Sequence, residues 1–397
     1  MARGVDIVGS GPAIMDSTAN SGESLPGHTA ALRKGTKEYT LSGVTPPTAG
    51  GAAANTTVGV GRLGPLDDEP APDYEVAFMG PVGNDPFAKE VLSGFPQGLN
   101  TPGIVRKEAA TGQIICTQFE GEGGDRIHGV LEGANGLYNK RDVDNTFDLL
   151  FPGSRILHVG AYKGDEQMEA QVHLLRRVRE ESPNTVTSLS PGGLYARRDT
   201  KEVETLLKLS DIVFLNPGEL RSIWGPIDYR QIQERFNSSG RGITAVGGDQ
   251  EARFAIEFGA YLYDLGCKAV FLTLGPGDSL LVPEKNGRQR RTDELGSLIV
   301  RTALPQEIVE VLVNPDIIEK PKANGAGDGY AAGVLAYILE NVLRPGRKLD
   351  DMSYFDYFEA GIWGDIVAHC ALEQVGAQAG LPDRQKMREL VAGDRRI

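Results

Sequence analysis

The stretch "SRILHVGAYKGDEQMEAQVHLLRRVREES", from Ser154 to Ser182, contains one complete strand–turn–helix unit. Its first part, as far as Tyr162, is mostly apolar, as in a short strand that is buried on both faces. From Glu166 onward, apolar residues recur at helical spacing with charged residues between them, which predicts an amphipathic helix. A buried strand followed at once by such a helix is the repeating unit of a parallel sheet.

The same alternation of apolar strands and helices recurs along the chain. Further strands are predicted at Tyr74–Gly83, Asp211–Glu219 and Cys267–Gly275, and a further helix at Asp199–Ser210. The pattern predicts an α/β fold with a doubly wound, mostly parallel sheet and helices on both faces. Binding groups should then collect at the carboxyl ends of the strands.

Two segments interrupt this alternation, at residues 17–50 and 102–132. Both are rich in Gly and Thr and contain short alternating stretches, which predict antiparallel hairpins outside the main sheet. We therefore expect a small β lid made from these two segments. The α/β core would comprise residues 1–16, 51–101 and 133–397.

The composition narrows the class of protein. The chain has 397 residues, of which 40% are hydrophobic, and a formal net charge of -13. This charge argues against a broad surface for nucleic acid or anionic membrane. The three cysteines are far apart in the sequence, which favours a reducing compartment without disulfides or a zinc site. With no signal peptide or long apolar run in the sequence, we expect a cytoplasmic protein.

The N-terminal stretch "VDIVGSGPAIMD", Val5 to Asp16, is similar to the start of a dinucleotide site. Such a site needs a third glycine where Ile14 stands, followed by a helix. The next segment, Ser17–Ala30, is instead rich in Ser, Gly and Pro. The pattern disfavours a flavin or nicotinamide site, and Asp16 at the end of the predicted first strand requires another explanation.

The stretch "KANGAGDGYAAGVLAYILE", Lys322 to Glu340, carries the clearest chemical signal. Small residues before a buried helix leave its first amide groups free to face an anion, and Asp328 lies at this helix start. An ordinary carboxylate favoured by the helix dipole would explain the acid but not the glycines. Backbone amides beside a carboxylate favour phosphoryl transfer, in which the acid accepts the proton of the attacking hydroxyl.

GAGD at the start of a late helix resembles the ribokinase/PfkB family of sugar and nucleoside kinases. Five further stretches resemble motifs of that family in the same order: Gly50–Gly64 (GGAAANTTVGVGRLG), Gly80–Val91 (GPVGNDPFAKEV), Asn216–Glu219 (NPGE), Thr273–Val282 (TLGPGDSLLV) and Gly364–Ala377 (GDIVAHCALEQVGA). The resemblance implies a doubly wound sheet with a β lid, ATP and Mg²⁺ as cofactors, and a sugar or nucleoside as substrate.

The resemblance also implies a role for each matching residue. Asp328 would be the general base, and Gly325, Ala326 and Gly327 would supply amides to the transferred phosphoryl group. The acceptor would be held by Asp16, Gly50, Gly51 and Asn55, the nucleotide by Thr273, Gly275, Gly277, Asn324 and Asp365, and Mg²⁺ by Asn216 and Glu219. Without the resemblance, the glycines could form ordinary turns, and Asn216 and Glu219 an ordinary capped turn at a strand end.

Several features of the sequence leave the identity of the substrate undecided. Lys322 and Ala323 replace the Asp and Thr that the family commonly has before GAGD, which disfavours activation by a monovalent cation. Asn324 resembles the nucleoside kinases, whereas Leu131–Asn139 (LEGANGLYN) resembles the lid exit of the sugar kinases. A small sugar is the favoured acceptor, a nucleoside is the alternative, and a non-catalytic ligand-binding relative is a third hypothesis. By analogy we expect a homodimer formed through the lid.

Overall fold

The computed structural model describes residues 5–21, 41–42, 45–64, 74–95, 102–119, 126–196, 198, 200–224, 261–273, 278–283, 300–303, 325–374 and 376–394. The strands are β1 Ile7–Ser10, β2 Ile14–Ser21, β3 Leu41–Ser42, β4 Thr48–Gly50, β5 Val76–Val82, β6 Ile104–Arg106, β7 Gly112–Phe119, β8 Arg126–Leu131, β9 Ile156–Gly160, β10 Val186–Ser190, β11 Ile212–Leu215, β12 Ala269–Thr273, β13 Asp278–Pro283 and β14 Val300–Ala303.

The α-helices are α1 Ala52–Leu63, α2 Pro86–Ser93, α3 Lys140–Leu150, α4 Asp165–Glu181, α5 Gly192–Ala196, α6 Thr200–Lys208, α7 Pro217–Trp224, α8 Ala326–Ile338, α9 Tyr354–Leu372 and α10 Arg384–Asp394. Short 3₁₀ turns occupy Gly133–Leu137 and Leu349–Asp351, and a π-helical turn, Leu339–Leu343, follows α8. Among the residues described, no helix combines the length and the apolar character needed to cross a membrane.

The main sheet has nine strands in the order β14-β13-β12-β11-β10-β9-β1-β5-β6. The seven strands from β12 to β6 run parallel, and β13 and β14 continue the sheet antiparallel. The predicted α/β class and doubly wound sheet are confirmed. The carboxyl ends of the parallel strands share one edge of the sheet. In open α/β sheets, ligands bind in the crevice outside this edge.

Helices cover both faces of this sheet and form two hydrophobic clusters. Successive side chains of a strand point to opposite faces of the sheet. In β9, Ile156 accordingly belongs to one cluster and Leu157 to the other. Helices α1, α8 and α9 pack on the first face, and α3 to α7 on the second. Helix α8 is almost entirely buried because its small residues permit close packing: a Cβ atom at Gly333 would lie 2.3 Å from the Trp363 carbonyl oxygen.

A second sheet has the strand order β3-β2-β7-β8, and β4 also pairs with β2. It fits the expected lid, with an antiparallel β7–β8 hairpin and a parallel β2–β7 pair. The domain limits given above remain a prediction, as does the homodimer.

The position of Asp16 differs from the sequence-based expectation. The first strand of the core ends at Ser10, and Asp16 lies on β2 of the second sheet. Gly11, Pro12 and Ala13 separate the two strands, and Pro12 has no amide hydrogen to continue the pairing. The chain therefore leaves the core before it reaches Asp16.

Candidate active site

A cavity of about 240 Å³ opens at the carboxyl ends of the parallel strands. The end of β12 and the segments that follow β1, β9, β10 and β11 contribute to its wall, together with the starts of α1 and α8. The described residues that line it are Pro12, Ile14, Gly51, Ala52, Ile114, Ala161, Ser190, Gly192, Gly193, Leu194, Phe214, Leu215, Asn216, Glu219, Thr273, Gly327, Asp328 and Tyr330.

The first turn of α8 forms one wall of this cavity. Gly325 precedes the helix with a φ of 99°, a left-handed conformation that favours glycine. A Cβ atom there would also lie 2.8 Å from the carbonyl oxygen of Ala377. At Gly327, which lines the cavity, a Cβ atom would meet no heavy atom within 4 Å, so the backbone is open to the cavity at this position. The amides that begin a helix have no intrahelical acceptor, and they can bind an anion here.

Asp328, in the same first turn, is partly buried and lines the cavity. Its Oδ2 accepts a hydrogen bond from Asn55 Nδ2 (2.8 Å), and its backbone carbonyl accepts one from Thr56 Oγ1 (3.2 Å). Burial raises the pKa of Asp328 to about 7, the hydrogen bond from Asn55 opposes this, and the charges of Glu219 and Asp16 add to it. A carboxyl group with a pKa near neutrality suits a general base.

The di-glycine segment allows α1 to begin beside the cavity. Gly51 has a φ of 108°, and a Cβ atom there would lie 2.1 Å from the Pro12 carbonyl oxygen. A Cβ atom at Gly50 would lie 3.0 Å from the Cβ of Asp16. Because glycine leaves both contacts free of a side chain, the start of α1 can approach β2 closely, and Asn55 follows on its first turn.

Asp16 pairs across the second sheet with Ile114 on β7 and Thr48 on β4. Its Oδ1 atom is buried and has no hydrogen-bond partner in the described part of the chain. Burial raises the pKa of Asp16 to about 6. Asp16 is close enough to Asp328 for its charge to raise the pKa of that residue. An unpaired carboxylate oxygen at this position could accept a hydrogen bond from a ligand hydroxyl.

Asn216 and Glu219 also line the cavity, at the start of α7. They cap each other: the Glu219 amide donates to Asn216 Oδ1 (2.9 Å), and the Asn216 amide donates to Glu219 Oε2 (3.1 Å). The ordinary capped turn is therefore present, but it does not account for the burial of the acid. Burial raises the pKa of Glu219 to about 7, and the hydrogen bonds from Asn216 oppose the shift.

The residues predicted to bind the nucleotide are only partly assembled in the described structure. Thr273 lines the cavity at the end of β12, and its Oγ1 donates to the Leu215 carbonyl oxygen (3.4 Å). Asp365 is buried in α9 and is absent from the described wall of the cavity. Gly275, Gly277, Asn324, Lys322 and Ala323 lie outside the described residues.

Sequence reasoning missed two parts of this site. One is the start of α5, directly after β10, where Gly192, Gly193 and Leu194 line the cavity. A strand followed by a proline and two glycines was the available signal. The other is Gln378, whose Nε2 donates to Asn55 Oδ1 (3.0 Å) from a position distant in the sequence. No local pattern marks such a contact.

Comparisons with known proteins agree with this geometry. Residues 45–256, more than half of the chain, match the model of the pfkB family of carbohydrate kinases. The chain belongs to this family. The resemblance noted in the sequence is thus confirmed, and the family makes the protein an ATP-dependent carbohydrate or nucleoside kinase. A search of curated proteins found no significant match.

Solved structures of other kinases share the fold. Ribokinase from Giardia lamblia has 18% sequence identity and a TM-score of 0.66, with 98% of this chain and 99% of that chain covered. Adenosine kinase from Sinorhizobium meliloti has 19% identity and a TM-score of 0.63, with 97% and 99% covered. Fructokinase from Xylella fastidiosa has 18% identity and a TM-score of 0.62, with 98% of each chain covered.

Proposed function

We propose that this kinase transfers the γ-phosphoryl group of ATP to a hydroxymethyl group of a small sugar. The observation that carries the proposal is the first turn of α8. There, a carboxyl group with a pKa of about 7 lies beside backbone amides that face the same cavity. General-base catalysis and stabilisation of developing negative charge need these two groups side by side.

In the proposed reaction, Asp328 accepts the proton of the acceptor hydroxyl as the hydroxyl oxygen attacks the γ-phosphorus. The bond from the γ-phosphorus to the bridging oxygen breaks, and ADP leaves with that oxygen. The amides of Gly325, Ala326 and Gly327 stabilise the oxygens of the transferred group. A positioned base contributes roughly 10²–10⁴ in rate, and one such amide donor roughly 10²–10³.

On the acceptor side, Asp16 binds the sugar hydroxyls through its unpaired oxygen. Gly50 and Gly51 are assigned to the acceptor side as well. Side chains there would clash with Asp16 and Pro12 and would keep the start of α1 away from Asp16. One amide hydrogen of Asn55 is used by Asp328. The other amide hydrogen remains for the acceptor.

Mg²⁺ is the expected metal, and the wall at Asn216 and Glu219 fits it. Both side chains offer oxygen atoms, which Mg²⁺ prefers. Within the described residues, no group of three or more His, Cys, Asp or Glu side chains is placed to hold a metal ion. This is compatible with Mg²⁺ bound mainly through phosphates and water, with Glu219 and Asn216 assisting. When bound, the ion would neutralise charge on the phosphates.

For the nucleotide, the proposal assigns Thr273, Gly275, Gly277, Asn324 and Asp365. The position of Thr273 in the cavity wall supports its role. The other assignments rest on the matching motifs in the sequence.

A nucleoside is the second candidate acceptor because the acceptor side of the cavity is largely apolar. Ile14, Ile114 and Leu194 line both the main cavity and a smaller pocket beside it. Leu194 is 39% exposed although it is a large aliphatic residue. A planar base could cover this surface, whereas a small sugar would leave much of it in contact with water.

The direct test is an acceptor panel of sugars and nucleosides, assayed for ADP release with ATP and Mg²⁺. At least one acceptor should give turnover, and Asp328→Asn should lower kcat at least 10²-fold, as expected for loss of a base, with acceptor binding retained. Asp383→Asn is a matched control. Asp383 lies on the surface, where its Oδ1 caps α10 by accepting a hydrogen bond from the Lys386 amide (2.9 Å). Wild-type turnover in Asp328→Asn would refute the base assignment, and failure of every acceptor would refute the proposed reaction.

A further inference from the structure

Three side chains form a hydrogen-bonded chain that ends at the proposed base. Gln378 Nε2 donates to Asn55 Oδ1 (3.0 Å), and Asn55 Nδ2 donates to Asp328 Oδ2 (2.8 Å). Gln378 lies in the segment between α9 and α10 and is 6% exposed. Like Asn55, it is absent from the described wall of the cavity, and its side-chain amide reaches Asp328 through Asn55.

The carboxylate of Asp328 fixes the donor-to-acceptor direction of these two hydrogen bonds. An ionised Asp328 can only accept hydrogen bonds, so Asn55 must turn its NH₂ group toward it. The carbonyl oxygen of Asn55 then faces the other way and requires a donor. Gln378 supplies that donor through its own NH₂ group. If the Asn55 amide were turned around, its NH₂ group would face the NH₂ group of Gln378. Its oxygen would then face the carboxylate oxygen of Asp328, and both contacts would be repulsive.

The backbone at Gln378 is held by α1. Its backbone carbonyl accepts a hydrogen bond from Arg62 NH1 (2.5 Å), which ties the segment to the end of α1. Its side chain passes over Gly94, where a Cβ atom would lie 2.7 Å from Gln378 Oε1. A glycine at position 94 thus leaves room for the glutamine. The backbone of Gln378 is thus held in place, and its side chain presents its NH₂ group to the Asn55 carbonyl oxygen.

We infer that Gln378 is a positioning residue, which sets the amide orientation of Asn55 and thereby aims the Asp328 carboxylate at the acceptor. The inference rests on the proposed role of Asp328 as the base. It predicts that substitutions at 378 act on the rate of the chemical step through Asn55. Binding of ATP should be little changed.

Two substitutions separate orientation from packing. Gln378→Met keeps the length of the side chain and removes the donor, and kcat should fall about 10-fold, as for loss of an orienting partner. Gln378→Glu places a carboxylate against the Asn55 carbonyl oxygen, or forces Asn55 to turn its oxygen toward Asp328. Its kcat should fall about 100-fold, comparable to a misplaced catalytic group. Gln385→Met on α10 is the matched control, because Gln385 bonds only to Glu389 (3.1 Å) among the contacts described, at an exposed position.

The decisive measurement is a double-mutant cycle of Asn55→Ala and Gln378→Met, read in kcat and in the KM for acceptor and ATP. If Gln378 acts through Asn55, Gln378→Met should change kcat less than about 2-fold in the Asn55→Ala background. An equal loss in both backgrounds would overturn the inference.

A crystal structure of Gln378→Met covers the case in which Asn55→Ala is too slow to measure. We expect the Asn55–Asp328 bond to be lost or lengthened, and an unchanged 2.8 Å contact would overturn the inference. If Asp328→Asn is inactive while the cycle is additive, only the role of Gln378 fails. If Asp328→Asn is active, the proposed base itself is wrong.

Discussion

Replacing Asp328 with asparagine should stabilise the fold at neutral pH while it lowers kcat at least 10²-fold. Burial raises the pKa of this carboxyl from 3.8 to about 7. An acidic group with a raised folded-state pKa weakens the fold wherever the unfolded state is ionised. Below pH 3.8 the acid is protonated in both states and this cost is absent; it grows as the pH rises and reaches its full value above about 7.

The size of the effect follows from the shift in pKa. One pKa unit corresponds to about 1.4 kcal/mol, so the ionised carboxyl costs about 4 kcal/mol at pH 8 and less than about 2 kcal/mol at pH 5. Asparagine carries no charge and can still accept the hydrogen bond from Asn55. The variant should therefore gain most of this free energy of unfolding, and the gain should shrink as the pH falls.

Asp356 provides a control for which the same substitution should lower the free energy of unfolding. Burial alone would raise its pKa, but the hydrogen bonds from Arg347 and Ser353 lower the pKa to about 2. Its contribution to stability is full above about pH 4 and is lost only as the pH falls through about 2. Asp356→Asn should thus lose about 2 kcal/mol, equally at pH 5 and pH 8.

Urea unfolding of the wild type and both variants at pH 5 and pH 8 tests this reasoning. The unfolding midpoint of Asp328→Asn should lie above that of the wild type, and the difference should be larger at pH 8. A midpoint below that of the wild type at pH 8, or a difference that does not depend on pH, would refute it. Either result would mean that burial of the ionised Asp328 carboxyl does not lower the free energy of unfolding.

Three further outcomes are expected. Gly51→Ala should lose about 1–3 kcal/mol of stability, since its Cβ would meet the Pro12 carbonyl oxygen at 2.1 Å; an unchanged unfolding midpoint would contradict this. Asp85→Ala removes the acceptor of the Thr111 amide (2.9 Å) and hydroxyl (2.6 Å) at the base of β7. Its KM for the acceptor should rise more than its KM for ATP, and equal changes would argue against a role in placing the second sheet. Finally, kcat/KM for the acceptor should increase with pH through the Asp328 pKa of about 7, because the base must be ionised; a flat profile between pH 5 and 8 would contradict it.

The sequence alone predicted the repeating part of the fold. Periods of apolar residues identify buried strands and helices because each element must present its own apolar surface to the core. The start of α8 was also predictable, since Gly325 and its neighbours carry a local signal for a helix terminus that faces an anion. Its opening toward the cavity agrees with that signal.

Only the tertiary structure decided which distant residues meet. Asp16 had been expected at the end of the first core strand, yet β2 carries it into the second sheet. Asn55 meets Asp328 across 273 residues of sequence, and Gln378 meets Asn55 across 323. Periodicity records which face of an element is buried, but a polar contact between elements depends on how they pack against each other. The residues that bear the proposed chemistry could thus be named from the sequence, while the partners that orient them and set their pKa values could not.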